Sequence, residues 1–163
     1  MKITRIPVVL VFLSVIIGLA ANNINAASTG NKGGQSCQSV NETEIAALFD
    51  RWNDALQSGD ADKVVSLYAK RSVLLPTISN KPRLTPSEKA AYFRHFLEKS
   101  PSAKIDFRQI EIGCNMVSDT GLYTFAMAKN GEIMKGRYSF TYRWNGSRWL
   151  IVSHHSSLMP ETK

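Results

Sequence analysis

The chain has 3 histidines and 2 cysteines among 163 residues. With the acids and hydroxyls near them, these are the side chains that could support metal, nucleophilic, acid–base or redox chemistry, and their spacing narrows the choice. His154 and His155 are adjacent in a stretch that alternates as a strand. Neighbours on a strand point to opposite faces, so these two cannot share an ion. His95 falls on the solvent side of a helical stretch. The same alternation separates His155 from Ser156, which excludes a histidine-activated serine there. It also puts Asp106 and Glu111 on different faces, so they form no carboxylate pair. Cys37 and Cys114 are far apart, without the Cys-x-x-Cys spacing that tunes a redox thiolate. The residues therefore point to no metal and no cofactor, and they contain no catalytic motif.

The elements that must position these residues can be read from periodicity. Asn41 and Glu44 form a capping box, followed by Ile45, Leu48, Phe49, Trp52 and Leu56 at helical spacing up to Ser58-Gly59. Asp60 caps a shorter helix carrying Val64, Val65, Leu67 and Tyr68, and Val73-Leu74-Leu75-Pro76 is a short strand. Thr85-Pro86-Ser87-Glu88 opens a third helix with Tyr92, Phe93, Phe96 and Leu97, which stops before Pro101. From there the period becomes 2, giving strands over 104–113, 117–128, 132–144 and 148–157. Asn130-Gly131 and Asn145-Gly146 mark tight hairpins. The sequons at Asn41 and Asn145 coincide with this cap and this turn. The order implies an α+β domain, with an antiparallel sheet covered on one face by three helices. In the strand over 132–144, Tyr138, Phe140, Tyr142 and Trp144 face the helices. In the last strand, Trp149 and Ile151 oppose Leu150 and Val152, so both faces are apolar. An exposed apolar patch of that kind marks a partner surface, and the expectation is a homodimer or larger homo-oligomer built on the outer sheet face.

Lys2 and Arg5, the apolar run from Ile6 to Ala21, and small residues up to Ala26 read as a signal peptide over 1–26. The run is shorter than the roughly 20 residues that span a bilayer, so no stable membrane insertion is expected after cleavage. A small, polar leader over 27–36 follows, and then one domain over 37–161. The expected location is exported, periplasmic or secreted, and in an oxidising compartment Cys37 and Cys114 should pair. Such a bond could stabilise the fold by about 4 kcal/mol. The formal charge of +7 is scattered. Arg137, Arg143 and Arg148 crowd together, but without a recognisable module, so no nucleic acid partner is expected.

Several segments together carry a resemblance: Trp52 to Ala69 with its Ser58-Gly59-Asp60 turn, Leu74-Leu75-Pro76, Tyr92-Phe93-x-x-Phe96-Leu97, and the close from Trp149 to Glu161. Over residues 37–161 the chain resembles bacterial, exported relatives of the calcium/calmodulin-dependent protein kinase II association domain, in the SnoaL-like and nuclear transport factor 2-like superfamily. The resemblance implies a cone-shaped fold, a curved sheet wrapped round three N-terminal helices, with a pocket at the wide end and dimerisation across the sheet. It implies no kinase activity, because no glycine-rich nucleotide loop or catalytic loop is present. The arginines that line the kinase pocket align with Phe125, Phe140 and Ser156, so an anion-binding pocket does not carry over and a more apolar cavity is expected.

Trp52, Tyr68, Tyr92, Phe93, Phe96, Tyr123, Phe125, Tyr138, Phe140, His154 and Ser156 are the residues expected to line that cavity. Of the histidines, the resemblance turns His154 inward and His155 outward. The leading expectation is a self-associating domain that binds a small, largely apolar molecule without catalysis. The competing one is a SnoaL-like cyclase or ketosteroid isomerase-like enzyme. In that reading His154 is the general base, assisted by the hydroxyls of Ser156, Tyr123 or Tyr138.

Overall fold

The computed structural model describes residues 36–77 and 79–160. The signal peptide and most of the leader expected from the sequence lie outside the described residues. Helix α1 (Glu42–Gln57) starts where Asn41 Oδ1 accepts from the Glu44 amide at 3.0 Å and Glu44 Oε2 accepts from the Asn41 amide at 2.9 Å. Its buried stripe is Ile45, Leu48, Phe49, Trp52 and Leu56. Asp60 caps the short α2 (Ala61–Ser66), and α3 (Pro86–Leu97) opens with a second capping box between Thr85 and Glu88. Lys89 pins α3 in place, its buried ammonium donating to the Ser72 and Leu84 carbonyls at 2.9 Å each.

The strands are β1 (Tyr68–Leu75), β2 (Pro101–Gly113), β3 (Met116–Met127), β4 (Glu132–Trp144) and β5 (Trp149–Leu158), in one sheet of order β1-β5-β4-β3-β2. The meander from β2 to β5 is antiparallel, as expected. β1, however, lies parallel to β5, so the sheet is mixed. No hairpin joins β1 to its neighbour; the long connection through α3 leaves its direction free. Tyr68, expected at the end of the second helix, instead opens β1 by pairing with Ile151. Gly131 and Gly146 take positive φ, 72° and 99°, at the two hairpins.

Besides a register shift on β1 between Tyr68 and Val73, two strands of the meander depart from strict alternation. On β5, Ser153 pairs with Thr141 and Ile151 with Tyr142, which leaves Val152 without a counterpart. Such a bulge moves every later side chain to the other face. Ile151 therefore shares the inner face with His154 and Ser156, whereas simple alternation places His154 with Leu150 and Val152. Leu150 and Val152 are half-buried. Short hydroxyl side chains, Thr120 paired with Ser139 and Ser118 paired with Thr141, occupy the centre of the outer face. The outer face thus carries this hydroxyl-bearing centre on β3 and β4 beside the half-buried Leu150 and Val152 of β5, with Phe107, 56% exposed, at its β2 side.

The second bulge is at Asp106, between Ile105 opposite Tyr123 and Phe107 opposite Leu122. Asp106 and Glu111 consequently share the outer face, contrary to the alternation argument. They still form no pair: Asp106 accepts from Thr124 Oγ1 at 2.6 Å, and Glu111 from Gln109 Nε2 at 3.0 Å. Gly121 faces this bulge, where an added Cβ would overlap the Phe107 carbonyl oxygen.

Cys37 and Cys114 form the expected disulfide, 77 residues apart in sequence, tying the segment before α1 to the β2–β3 turn. Asn115 in that turn reinforces the tie, accepting from the Gln38 amide at 2.7 Å and donating to the Ser36 carbonyl at 3.1 Å. Replacing both cysteines by serine should lower unfolding stability by about 4 kcal/mol in the chain-entropy picture. Urea denaturation of the oxidised protein against the double variant measures it. An unchanged midpoint would show that the Asn115 contacts hold the segment without the bond.

Candidate functional site

Between the inner face of the sheet and α3 lies a cavity of about 780 Å³. α1 contributes Trp52; α3 gives Tyr92, Phe93 and Phe96; β3 gives Tyr123, Phe125 and Met127; and β5 gives His154 and Ser156. Tyr92 and Phe96 stack at 6.0 Å between ring centroids, and Phe96 meets Phe125 edge-on at 5.5 Å. Charged residues gather at the mouth, where Lys81 faces Glu88 at 3.7 Å and Lys99 faces Glu132 at 3.4 Å. Tyr68, Tyr138 and Phe140, expected on the same wall, lie behind it in the core. The reason differs for each. Tyr68 is turned toward Trp52 and His154, Tyr138 toward Asp119, and Phe140 lies under the His154 ring at 4.1 Å between centroids.

Two polar chains reach the wall. Tyr68 Oη lies 3.2 Å from Trp52 Nε1 and 2.7 Å from His154 Nδ1. Trp52 also stands edge-on to the imidazole at 5.3 Å. His154 is 3% exposed, and its Nε2 has no hydrogen-bond partner. Burial holds its pKa down at about 3, because a charged ring there would lose its water, and His155 lowers it a little further. The second chain links the hydroxyls of Tyr123, Ser156 and Thr77. Gly136 makes it possible: a Cβ there would stand 2.7 Å from Cε1 of Tyr123, so only glycine lets the ring lie close over β4. Burial pushes the Tyr123 phenol up to about 12, keeping it protonated.

A buried ionic cluster escaped the sequence reading. Asp119 is fully buried; its Oδ1 lies 3.2 Å from Arg108 Nε and accepts from Tyr138 Oη at 2.9 Å. The guanidinium also sits 5.5 Å over the Phe49 ring. Burial raises the Asp119 carboxyl above its ordinary value, with Arg108 and Tyr138 opposing. The signal was present, since Asp119 is in phase with Val117 and Tyr123. Neither Arg108 nor Asp119 is on the cavity wall. His95 is at the mouth, with Nδ1 3.5 Å from Glu98, and His155 is exposed on the outer face. Among the described residues, no three histidine, cysteine or acidic side chains gather to hold a metal ion.

A curved sheet closed over helices, with a cavity at one end, defines the cone fold of nuclear transport factor 2-like proteins. Solved structures agree. The chain is similar to such a protein of unknown function from Pseudomonas putida, with TM-score 0.65, 17% identity, and 75% of this chain and 89% of that one covered. It is also similar to one with a cystatin-like fold from Novosphingobium aromaticivorans, with TM-score 0.62, 14% identity and coverage of 74% and 82%. Residues 41–160 match the calcium/calmodulin dependent protein kinase II association domain, and the chain belongs to that family. A Xanthomonas campestris protein described as such a domain is 42% identical, with TM-score 0.72, over 76% of this chain and 91% of that one. No functionally curated protein matches the chain.

The depressed pKa of His154 has a consequence for stability. In the unfolded chain the ring protonates near 6.5, but in the fold only near 3. Between those values the unfolded state binds the extra proton, so stability falls as pH drops below 6.5 and is fully present above it. His154→Gln should flatten this dependence by up to about 1.4 kcal/mol per pH unit. Urea midpoints between pH 7.5 and pH 5 read it before carboxylates such as Glu88, held down at about 2 by the Thr85 and Leu84 amides, begin to titrate. Equal slopes for the two proteins would mean that the ring is protonated in the fold.

Proposed function

We propose that this chain is an exported, self-associating domain whose cavity binds a small, largely apolar molecule without converting it. One observation carries the ligand half: a cavity of about 780 Å³ walled by aromatic and methionine side chains, with its few deep polar groups uncharged. This is the composition of a small-molecule site. His154 supports the non-catalytic half, because a general base works best with a pKa near the operating pH, and burial holds this ring at about 3. The apolar leader and the Cys37–Cys114 bond support export. Family membership supports self-association, and the outer sheet face is the surface proposed for it. Its short hydroxyl side chains let two sheets approach closely, and Phe107 supplies an apolar anchor.

Native mass spectrometry of the protein secreted with its own leader, followed by denaturation of the same sample, tests all three parts. The expected result is a dimer or larger assembly that starts after the leader and releases a small molecule on unfolding. In Phe107→Asp the assembly should fall to monomer while the small molecule stays bound. A ligand-free monomer from the wild-type chain would sink both the assembly and the pocket.

A further inference from the structure

Trp52, Tyr68 and His154 come from α1, β1 and β5, and their polar atoms form a chain whose direction is set at its first member. An indole N–H can only donate. Tyr68 Oη, 3.2 Å away, therefore accepts from Trp52. Tyr68 keeps its own proton, since burial lifts this phenol well above its ordinary pKa. The acceptor that proton reaches is His154 Nδ1, at 2.7 Å. The opposite tautomer, with Nδ1–H donating to Tyr68, strands the buried Tyr68 hydroxyl proton and leaves the Nε2 lone pair without a donor. It leaves two buried groups unsatisfied where the first arrangement leaves one, and each such group is costly. The imidazole is thus neutral, with its proton on Nε2.

That Nε2–H is a buried donor with no partner, on a residue of the cavity wall. Water is a poor occupant, because a buried water needs two to four polar partners. The hydroxyls of Tyr123, Ser156 and Thr77 bond one another rather than the imidazole. Phe140 stacks on the ring and Trp52 stands at its edge. An anion held there would face an uncharged ring among aromatic side chains, which carries a large desolvation penalty. The cations of this site are at the mouth, on Lys81, Arg83, Lys99 and Lys135.

We infer that His154 is a hydrogen-bond donor, oriented by Tyr68 and Trp52, that recognises an uncharged carbonyl oxygen at the deep end of an otherwise apolar ligand. This rests on the proposed pocket and names the chemistry its occupant must carry. It also removes the lone pair that a general base at Nε2 would need, so His154 selects a ketone or related carbonyl rather than deprotonating it.

The test uses two probes of nearly equal shape, methyl naphthyl ketone and ethylnaphthalene, titrated calorimetrically into the oxidised protein. The ketone should bind about tenfold more tightly than the hydrocarbon. In His154→Phe the two affinities should converge, with that for ethylnaphthalene retained. Two-bond proton–nitrogen correlation spectra of the wild-type protein, which need no variant to fold, should place the ring proton on Nε2 at neutral pH. A proton on Nδ1, or a charged ring, overturns the inference. Equal affinities for the two probes in the wild type overturn it while leaving the pocket intact. Binding of neither probe overturns the pocket, and the inference with it.

Discussion

Val152 has no partner on β4, and that single unpaired residue decides what the cavity contains. A strand that alternated strictly from Ile151 would send Ser153 and His155 inward and turn His154 and Ser156 to solvent. The bulge lets β5 bury Ile151 in the narrow part of the core and still present His154 and Ser156 to the wider part. Its partner across the sheet, β4, needs no such adjustment, and Tyr138, Phe140 and Tyr142 run inward without a break. The aromatic row on β4 thus supplies a floor, and the phase change on β5 places polar groups over it. Phe140 shows the coupling: it pairs with His154 in register and lies under its ring.

The helices complete this arrangement by filling one end of the sheet and leaving the other open. α1 drives Phe49 and Trp52 into the concave face, where both rings pack against Phe140, at 6.2 Å and 5.3 Å between centroids. Edge-on aromatic contacts of this kind add to the area they bury and fix ring orientation. Trp52 therefore has two roles, plug of the core and first donor of the chain that ends at His154. α3 approaches the sheet with the flat pair Tyr92 and Phe96 in place of branched aliphatic side chains. Flat rings cover the cavity without filling it.

Much of this was legible in the residues. The capping boxes at Asn41 and Thr85, the glycines of the two hairpins and the period change after Pro101 each have a local physical cause, so a single sequence displays them. The pairing of Cys37 with Cys114 followed from the leader and the count of cysteines. What the sequence concealed depends on registers between strands. Neither bulge can be placed from the sequence: Val152 closes the apolar run Trp149-Leu150-Ile151-Val152 and Asp106 stands between Ile105 and Phe107, and each bulge reverses a conclusion drawn from parity. Tyr68 continues a helical pattern locally and is taken into β1 only because Ile151 is there to pair with it. Asp119 lay in plain phase with buried neighbours, but its partner Arg108 reaches the same face only through the bulge at Asp106.

Two of the buried polar devices of the fold differ in a way that separates scaffold from site. Arg108, Asp119 and Tyr138 meet at Asp119 Oδ1, away from the cavity wall, with opposite charges paired and Arg108 Nη2 and Asp119 Oδ2 left without a partner. Truncating Arg108 or Asp119 would leave the other's charge without its partner, so the pair ties β2 to β3. The chain through Trp52, Tyr68 and His154 carries no charge and ends in a donor that the protein itself does not satisfy. The ionic cluster lies off the cavity wall, so a ligand in the cavity leaves it unchanged. An open neutral chain recovers the cost of its last group only when something enters the cavity, and the acceptor that recovers it is uncharged.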